Sequence, residues 1–567
     1  MGIRVSLSFI VHLTYANITY MSREVISVSV SEGFWGQFSD MSISKRLVYE
    51  RCEELTSKYP LPPYEPTLTS LPGLAQEVLW CLNQMGEGHL SRDSVRPLID
   101  EFKHTWDNDL VMQREMLDQK HRHDNAVTQL RADLSNEGGN KNHAFVSDRT
   151  VVMEAIARDL SAHSAMVGTQ LVDLVATPSA TLSEVEAMAE ALINYAFVDV
   201  GWSSKGLHEV LRKTFRAPLF SAALTGFVSR ISANQSEQFT VYVDVSPSHV
   251  HRVPPRGDVE VSGEVLPIAK GFSNRTYHLR TVVQATDAWA AASMGALRFE
   301  ELGSVASIQE NRSTTLNLGQ TYFVRNSNGE YKFTSPRPTY LSAVRLSASD
   351  VQTIVDDAEL RDVVHWIRVG NESLGEERLL AYWIAMEYLS WRPQGGNALK
   401  RVTELNKAIW SSYYFPRTLR TLSRLASSMD LPWTRTEELV AVVTGDDWRQ
   451  SLSGSVRSPL LKERLNWLGN EALRRKSLKS SLEQAEWLTA RIYRIRNVAA
   501  HRASRTPGLR TDWLSAKTAR LLRAHLRLYS ERKRGKPNLT PREFFYEMQA
   551  DGALVDYGKH FVGDPHR

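Results

Sequence analysis

Near the end of the chain the sequence reads Arg496-Asn497-Val498-Ala499-Ala500-His501. Histidine exchanges a proton near neutral pH, so it can serve as a general base or acid. Arginine stays charged and presents a planar fork of donors that matches phosphate oxygens. Asparagine donates or accepts a hydrogen bond and can orient either neighbour. Together the three could grip a phosphate and move a proton beside it, and neither task requires a metal ion or a cofactor. Structural roles suit the same residues. Arg496 could be a helix-terminal cation that complements the macrodipole, and His501 a cap on the last carbonyls.

Spacing alone is weak. Arg158 and His163, Arg520 and His525, and Arg114 and His121 have comparable separations. The pair Arg496/His501 differs in its context. It ends the segment Ser481 to Val498, in which Leu482, Ala485, Leu488, Ile492 and Ile495 make an apolar helical stripe. Upstream, Asp356 to Val369 and Glu376 to Trp391 read as two helices across a short gap. The second has a broad apolar face of Leu379, Leu380, Trp383, Ile384, Met386 and Leu389, and it carries Glu387.

The string IYRIRNVAAH resembles the signature of HEPN domains, in which an Arg, four to six residues and a His follow a long helix. The segment Leu360 to Ser390 looks like the opening helical pair of the Apea-like HEPN subgroup, with Trp383-Ile384-Ala385-Met386-Glu387-Tyr388-Leu389 as its aromatic-rich end. The resemblance runs roughly from Ser347 to Lys536, about one third of the chain. It implies an antiparallel helical bundle, a homodimer with a composite cleft, and metal-independent cleavage of RNA (tRNA or mRNA). The 2′-hydroxyl of the RNA would attack its own phosphate and leave a 2′,3′-cyclic product. Arg496 and His501 would be the active pair, with Asn497 orienting one of them. Glu387 would either hold Arg496 for catalysis or be a structural ion-pair partner. Many proteins of this layout look like cytoplasmic anti-phage defence or toxin components, so a phage-derived trigger is expected. The alternative is a non-catalytic module that binds RNA or dimerises inside a larger assembly.

Charge near the motif leans the same way. From Arg494 to Lys536 there are thirteen basic residues against two acids, Asp512 and Glu531. Arg520, Arg523 and Arg527 fall on one face of a helix expected over Asp512 to Arg532. With Arg502 they are the candidate RNA contacts. A merely solvated helix face would look similar.

These residues need a scaffold. A chain of 567 residues should hold more than one core. With 42% hydrophobic and 23% charged residues it has globular composition, and a net charge of +4 is too mild to prove a polyanionic partner. The fold class expected is mainly α with an α/β middle region. Residues 1–20 read as a leader or as residues preceding an alternative start at Met21. Residues 21–145 read as a helical N-terminal region, broken by prolines at 60, 62 and 63. In it, Asp100 to Leu134 looks polar nearly all round, like a solvated or partner-bridging helix. Residues 146–335 read as an α/β middle region, a candidate sensor that would keep a nuclease silent. Leu182 to Phe197 is expected to be a helix. Phe239 to Val245 and Tyr277 to Val283 are expected strands, and Asp287 to Leu302 a helix. Thr314 to Phe333 is an expected hairpin with Asn326-Ser327-Asn328-Gly329 as its turn. Residues 336–536 form the HEPN-like domain, with separate helices near Ala398 to Ser411 and Pro416 to Ser428, and 537–567 form a tail.

Other chemistries lack their residues. Cys52 and Cys81 form no CxxC pair. His121 and His123, two apart, do not share a helix face, so no metal is expected there. Gln394-Gly395-Gly396-Asn397 lacks the Lys-Ser/Thr of a phosphate loop. No run of about 18 apolar residues marks a membrane span.

Overall fold

Several helix starts are set by capping residues visible in the sequence. The Ser70 hydroxyl accepts the Gly73 N–H at 2.9 Å, and Pro72 occupies the first turn. Asp109 accepts the Met112 N–H at 2.9 Å. Thr181 and Glu184 cap each other's backbone reciprocally. The structure, a computed structural model, describes residues 43–56, 69–135, 143–177, 180–214, 220–232, 236–245, 257–267, 277–309, 318–334, 344, 346–373, 375–390, 397–428, 458–502 and 511–556. The expected leader and the proline break lie outside the described residues.

The chain is mostly helical, with a small antiparallel sheet in its middle. The first ten described helices are α1 (Ile43–Thr56), α2 (Leu71–Gly86), α3 (Arg92–Asn108), α4 (Leu110–Arg114), α5 (Leu117–Ser135), α6 (His143–Asp159), α7 (His163–Ala176), α8 (Leu182–Val198), α9 (Ser204–Thr214) and α10 (Phe220–Ser232). One apolar core runs through them from Leu47 to Ile231. Residues 146–232 therefore share the core of the N-terminal helices, and Gly201, Ser203 and Glu209 make polar contacts to the sheet unit. Cys52 and Cys81 are buried in this core, and burial pushes both thiols up to about 12.

The segment Asp100 to Leu134 corrects its expectation. It is three helices rather than one, and Phe102, Trp106, Val111, Met112, Val127 and Leu130 are buried. Its polar residues close internal contacts. Trp106 donates to Asp124 at 2.7 Å, and the ring Nε2 of His163 lies 2.9 Å from Asp109. His123 likewise meets Asp159 across the α5–α6 contact at 2.8 Å.

The sheet comprises β1 (Glu237–Val245), β2 (Val259–Ser262), β3 (His278–Ala285), β4 (Leu318–Asn326) and β5 (Tyr331–Thr334), in the order β2-β3-β1-β4-β5. All its pairings are antiparallel. The expected strands and hairpin are there; β2 was not expected. The hairpin turn closes with Gly329 at φ +80°, a conformation glycine adopts without strain. Helix α11 (Ala288–Gln309) covers one face. Gly295 allows that approach, because a Cβ there would come within 2.7 Å of Val241 Cγ1.

The remaining helices are α12 (Ala348–Val355), α13 (Arg361–Glu372), α14 (Gly375–Leu389), α15 (Ala398–Ser428), α16 (Pro459–Gly469), α17 (Glu471–Arg502), α18 (Thr511–Gly535) and α19 (Pro541–Asp556). The two helices expected over 398–428 are one continuous helix. The supposed tail contributes α19, whose Phe544, Phe545 and Met548 are buried in the C-terminal core. Helices α13 and α14 fold back on each other, and Arg378 Nε donates to the Gly370 carbonyl at 2.8 Å. Helices α15 and α17 are antiparallel: Asn406 meets Thr489, Lys407 meets Glu486 and Trp410 meets Ser481. The bundle is not purely antiparallel, however. Trp383 meets Tyr493 and Glu387 meets Arg496, so α14 and α17 run parallel. Among the described residues, no helix is long and apolar enough to cross a membrane.

Candidate functional site

Helix α17 is shared by two cores. Leu478 and Val498 belong to the N-terminal core, whereas Leu488, Ile492 and Ile495 belong to the C-terminal one. Both faces are buried: Leu488, Ile492 and Ile495 face the C-terminal core, and Val498 with the buried Arg491 and Arg494 faces the N-terminal helices. Arg496 and Asn497 emerge beside these stripes, well inside the helix rather than at its end.

The Arg496 guanidinium donates from Nη1 to Asn497 Oδ1 at 2.9 Å. Its Nη2 lies 3.6 Å from Glu387 Oε2, an ion pair too long for a good hydrogen bond. Its Nε has no hydrogen-bond partner. The Arg496 side chain is 27% exposed, while Asn497 is buried. The ring of Tyr493 packs 5.2 Å from that of Trp383, one turn earlier on both helices, and fixes the spacing between α14 and α17. Thus Glu387, Arg496 and Asn497 are brought together. Helix α17 continues through position 501, one turn beyond position 497 on the same helix face. The side chains of His501 and Arg502 lie outside the described residues.

The basic residues of α18 are largely engaged within the chain. Arg527 Nε donates to Glu531 at 2.9 Å. Arg532 pairs with Glu547, Lys533 with Asp357, and Arg534 with Asp350, at 2.8, 2.9 and 2.9 Å. Arg520 and Arg523 are half-buried and also have contacts inside the chain. Charge counted along the sequence therefore overstates what α18 offers a polyanion.

No local pattern in the sequence marks the buried ion cluster next to the motif. Arg491 Nε donates to both Glu77 oxygens at 3.0 and 2.9 Å, and its Nη2 to Glu101 at 2.9 Å. Arg494 donates to Glu77 at 2.7 Å and to the Ser94 carbonyl at 3.2 Å. Burial pushes the Glu77 carboxyl up, but Arg491 and Arg494 outweigh it and hold it below the usual range. Glu101 is raised by burial, which its Arg491 contact only partly offsets, with Glu77 adding to the rise. The difference is physical: Glu77 sits between two arginines, and Glu101 makes its hydrogen bond to only one.

No group of three or more potential metal ligands occurs among the described residues. The arrangement can hold an anion at a half-exposed guanidinium braced by a carboxylate and an amide. No protein-family model, curated protein or solved structure matches the chain.

Proposed function

We propose that the chain is a metal-independent endoribonuclease of HEPN type, acting as a homodimer on tRNA or mRNA. A phosphodiester oxygen takes the Nη2 donors of Arg496, the end of the guanidinium that meets Glu387 only at 3.6 Å. Asn497 and Glu387 hold the guanidinium flat against that phosphate. His501 moves the proton: as base it takes it from the 2′-hydroxyl, and as acid it gives one to the departing 5′-oxygen. The 2′-O–P bond forms and the P–O5′ bond breaks, so the products are a 2′,3′-cyclic phosphate and a 5′-hydroxyl. Two copies of the motif across a dimer would supply both proton transfers.

The observation that carries this reading is the contrast among three arginines of one helix. Arg491 and Arg494 are buried and bound to carboxylates at hydrogen-bond distance. Arg496 is 27% exposed and meets its carboxylate only loosely, at 3.6 Å. A guanidinium held at hydrogen-bond distance by carboxylates has its charge already matched, while one with a loose, partly exposed ion pair can take a further anion. An unrestrained RNase would harm its own cell, which suits a cytoplasmic defence or toxin effector released by a phage-derived trigger.

The test is incubation of the purified protein with tRNA and a structured RNA in EDTA, beside Arg496→Ala and His501→Ala. Cleavage by wild type alone, with 2′,3′-cyclic ends, supports the reading. RNA binding without cleavage by all three proteins replaces it with the non-catalytic RNA-binding module.

A further inference from the structure

We infer that Glu77, in the N-terminal helical layer, is a positioning residue for the Arg496–Asn497 site, and that this layer is a permanent part of the site's scaffold. The inference rests on the endoribonuclease reading above.

Helices α3 and α17 run antiparallel along each other. Ser94, Glu101 and His104 rise along α3 as their partners Arg494, Arg491 and Trp487 descend α17. Glu77 reaches over from α2 and bridges Arg491 and Arg494, three residues apart on one face. The two arginine side chains are 3% and 1% exposed. Two cations thus face two carboxylates, Glu77 and Glu101, in a dry setting. Removing either carboxylate strands buried charge, the situation that disturbs a buried ion cluster most.

This cluster fixes α17 about its own axis. Arg494 and Arg496 are two residues apart, so any rotation or slip of α17 that breaks the Glu77 bridge also moves Arg496 relative to Glu387. A misplacement of about 1 Å can cost on the order of 100-fold in rate. The grip extends to α16. The Ser458 hydroxyl donates to Glu50 at 2.7 Å, and Arg464 pairs with Glu186. Without residues 43–198, Arg491 and Arg494 would lose Glu77 and Glu101, and Arg464 would lose Glu186. Restraint of the enzyme therefore has to act with this layer in place.

The test uses full-length Glu77→Gln and Glu77→Asp. Two quantities are read: single-turnover cleavage of tRNA across substrate concentrations, and hydrogen exchange of the backbone amides of residues 492–500. The expected result for Glu77→Gln is a 10- to 100-fold lower maximal rate with half-saturation unchanged, together with faster exchange over 492–500. Glu77→Asp should recover part of both. Unchanged rate or unchanged exchange in a folded Glu77→Gln overturns the inference. If that variant does not fold, Arg494→Lys, which keeps the charge but loses the fork, is read in the same way. If wild type cuts no RNA, the endoribonuclease reading fails, and the exchange measurement alone decides whether Glu77 positions α17.

Discussion

The carboxylate of Glu387 lies 3.6 Å from the Arg496 guanidinium, close enough to orient it and too far to consume its donors. A phosphate could take those donors without first breaking a tight ion pair. Arg496→Ala should lower RNA cleavage by about 10²–10³-fold, as removal of a transition-state donor does. Arg496→Lys should recover little, since an ammonium cannot reproduce the fork. Glu387→Gln keeps the shape and loses the charge, and should cost about 10-fold or less. Single-turnover rates order the three variants. Full activity in Arg496→Lys would mean that charge alone matters at this position.

RNA affinity should depend unequally on the candidate basic residues. Arg527 already donates to Glu531 from a half-buried position, so Arg527→Ala should leave the salt dependence of RNA binding unchanged. Arg502 follows His501 directly. If it meets a phosphate, Arg502→Ala should reduce the slope of log K against log salt by about 1. Binding titrations between 50 and 200 mM salt, about the range over which such slopes show, separate the two. A reduced slope for Arg527→Ala would mean that Glu531 releases it to RNA.

Local signals in the sequence were readable, and distant partnerships were not. Helix α8, strands β1 and β3, and the Asn326–Gly329 turn follow from periodicity and turn chemistry within a few residues. Strand β2 has only four residues, so its Val-Glu-Val-Ser alternation is too short to stand out. The segment 100–134 reads as solvated because Glu101 and Asp109 resemble surface charge; their partners Arg491 and His163 lie elsewhere in the chain. Glu77 and Arg491 are 414 positions apart, beyond any local pattern. At the candidate site, the meeting of Glu387 with Arg496 could be anticipated only through the resemblance to a family pattern.

Asp287 joins the N-terminal helices to the sheet unit. It accepts the Ser203 N–H and hydroxyl at 2.7 and 2.9 Å, and also caps α11 by accepting the Trp289 and Ala290 N–H groups at 2.9 Å each. Asp287→Ala removes the cap and leaves the Ser203 N–H unpaired. It should cost about 2–3 kcal/mol. Asp287→Asn retains an acceptor and should cost about 1 kcal/mol or less. Urea denaturation followed by circular dichroism measures both. Equal losses would assign the effect to charge rather than to capping.

Stability should fall as pH rises from about 5 to 7. Burial pushes Glu50 up to about 7, only partly offset by hydrogen bonds from Ser458 and Leu460 and by Arg46. Burial and the neighbouring Glu186 carry Glu463 to about 7, and burial carries Asp199 to about 6. In the unfolded chain these groups titrate near pH 4. Between about pH 4.5 and 7 the folded chain therefore holds more protons at these three groups than the unfolded one, which makes unfolding easier as pH rises; His525, whose imidazole burial pushes down to about 3, opposes them up to about pH 6.5. For Glu50 alone the change is on the order of 1–3 kcal/mol. Below about pH 4 the sign reverses. Buried Asp350 and Asp357, held below the ordinary range because hydrogen bonds and nearby Arg534 and Lys533 outweigh burial, lose their stabilising charge there. The denaturation midpoint should thus peak near pH 5, and Glu50→Gln should flatten its decline towards pH 7.5. The same pH dependence in wild type and Glu50→Gln would show that Glu50 is ionised throughout, with Ser458 and Arg46 holding its charge against burial.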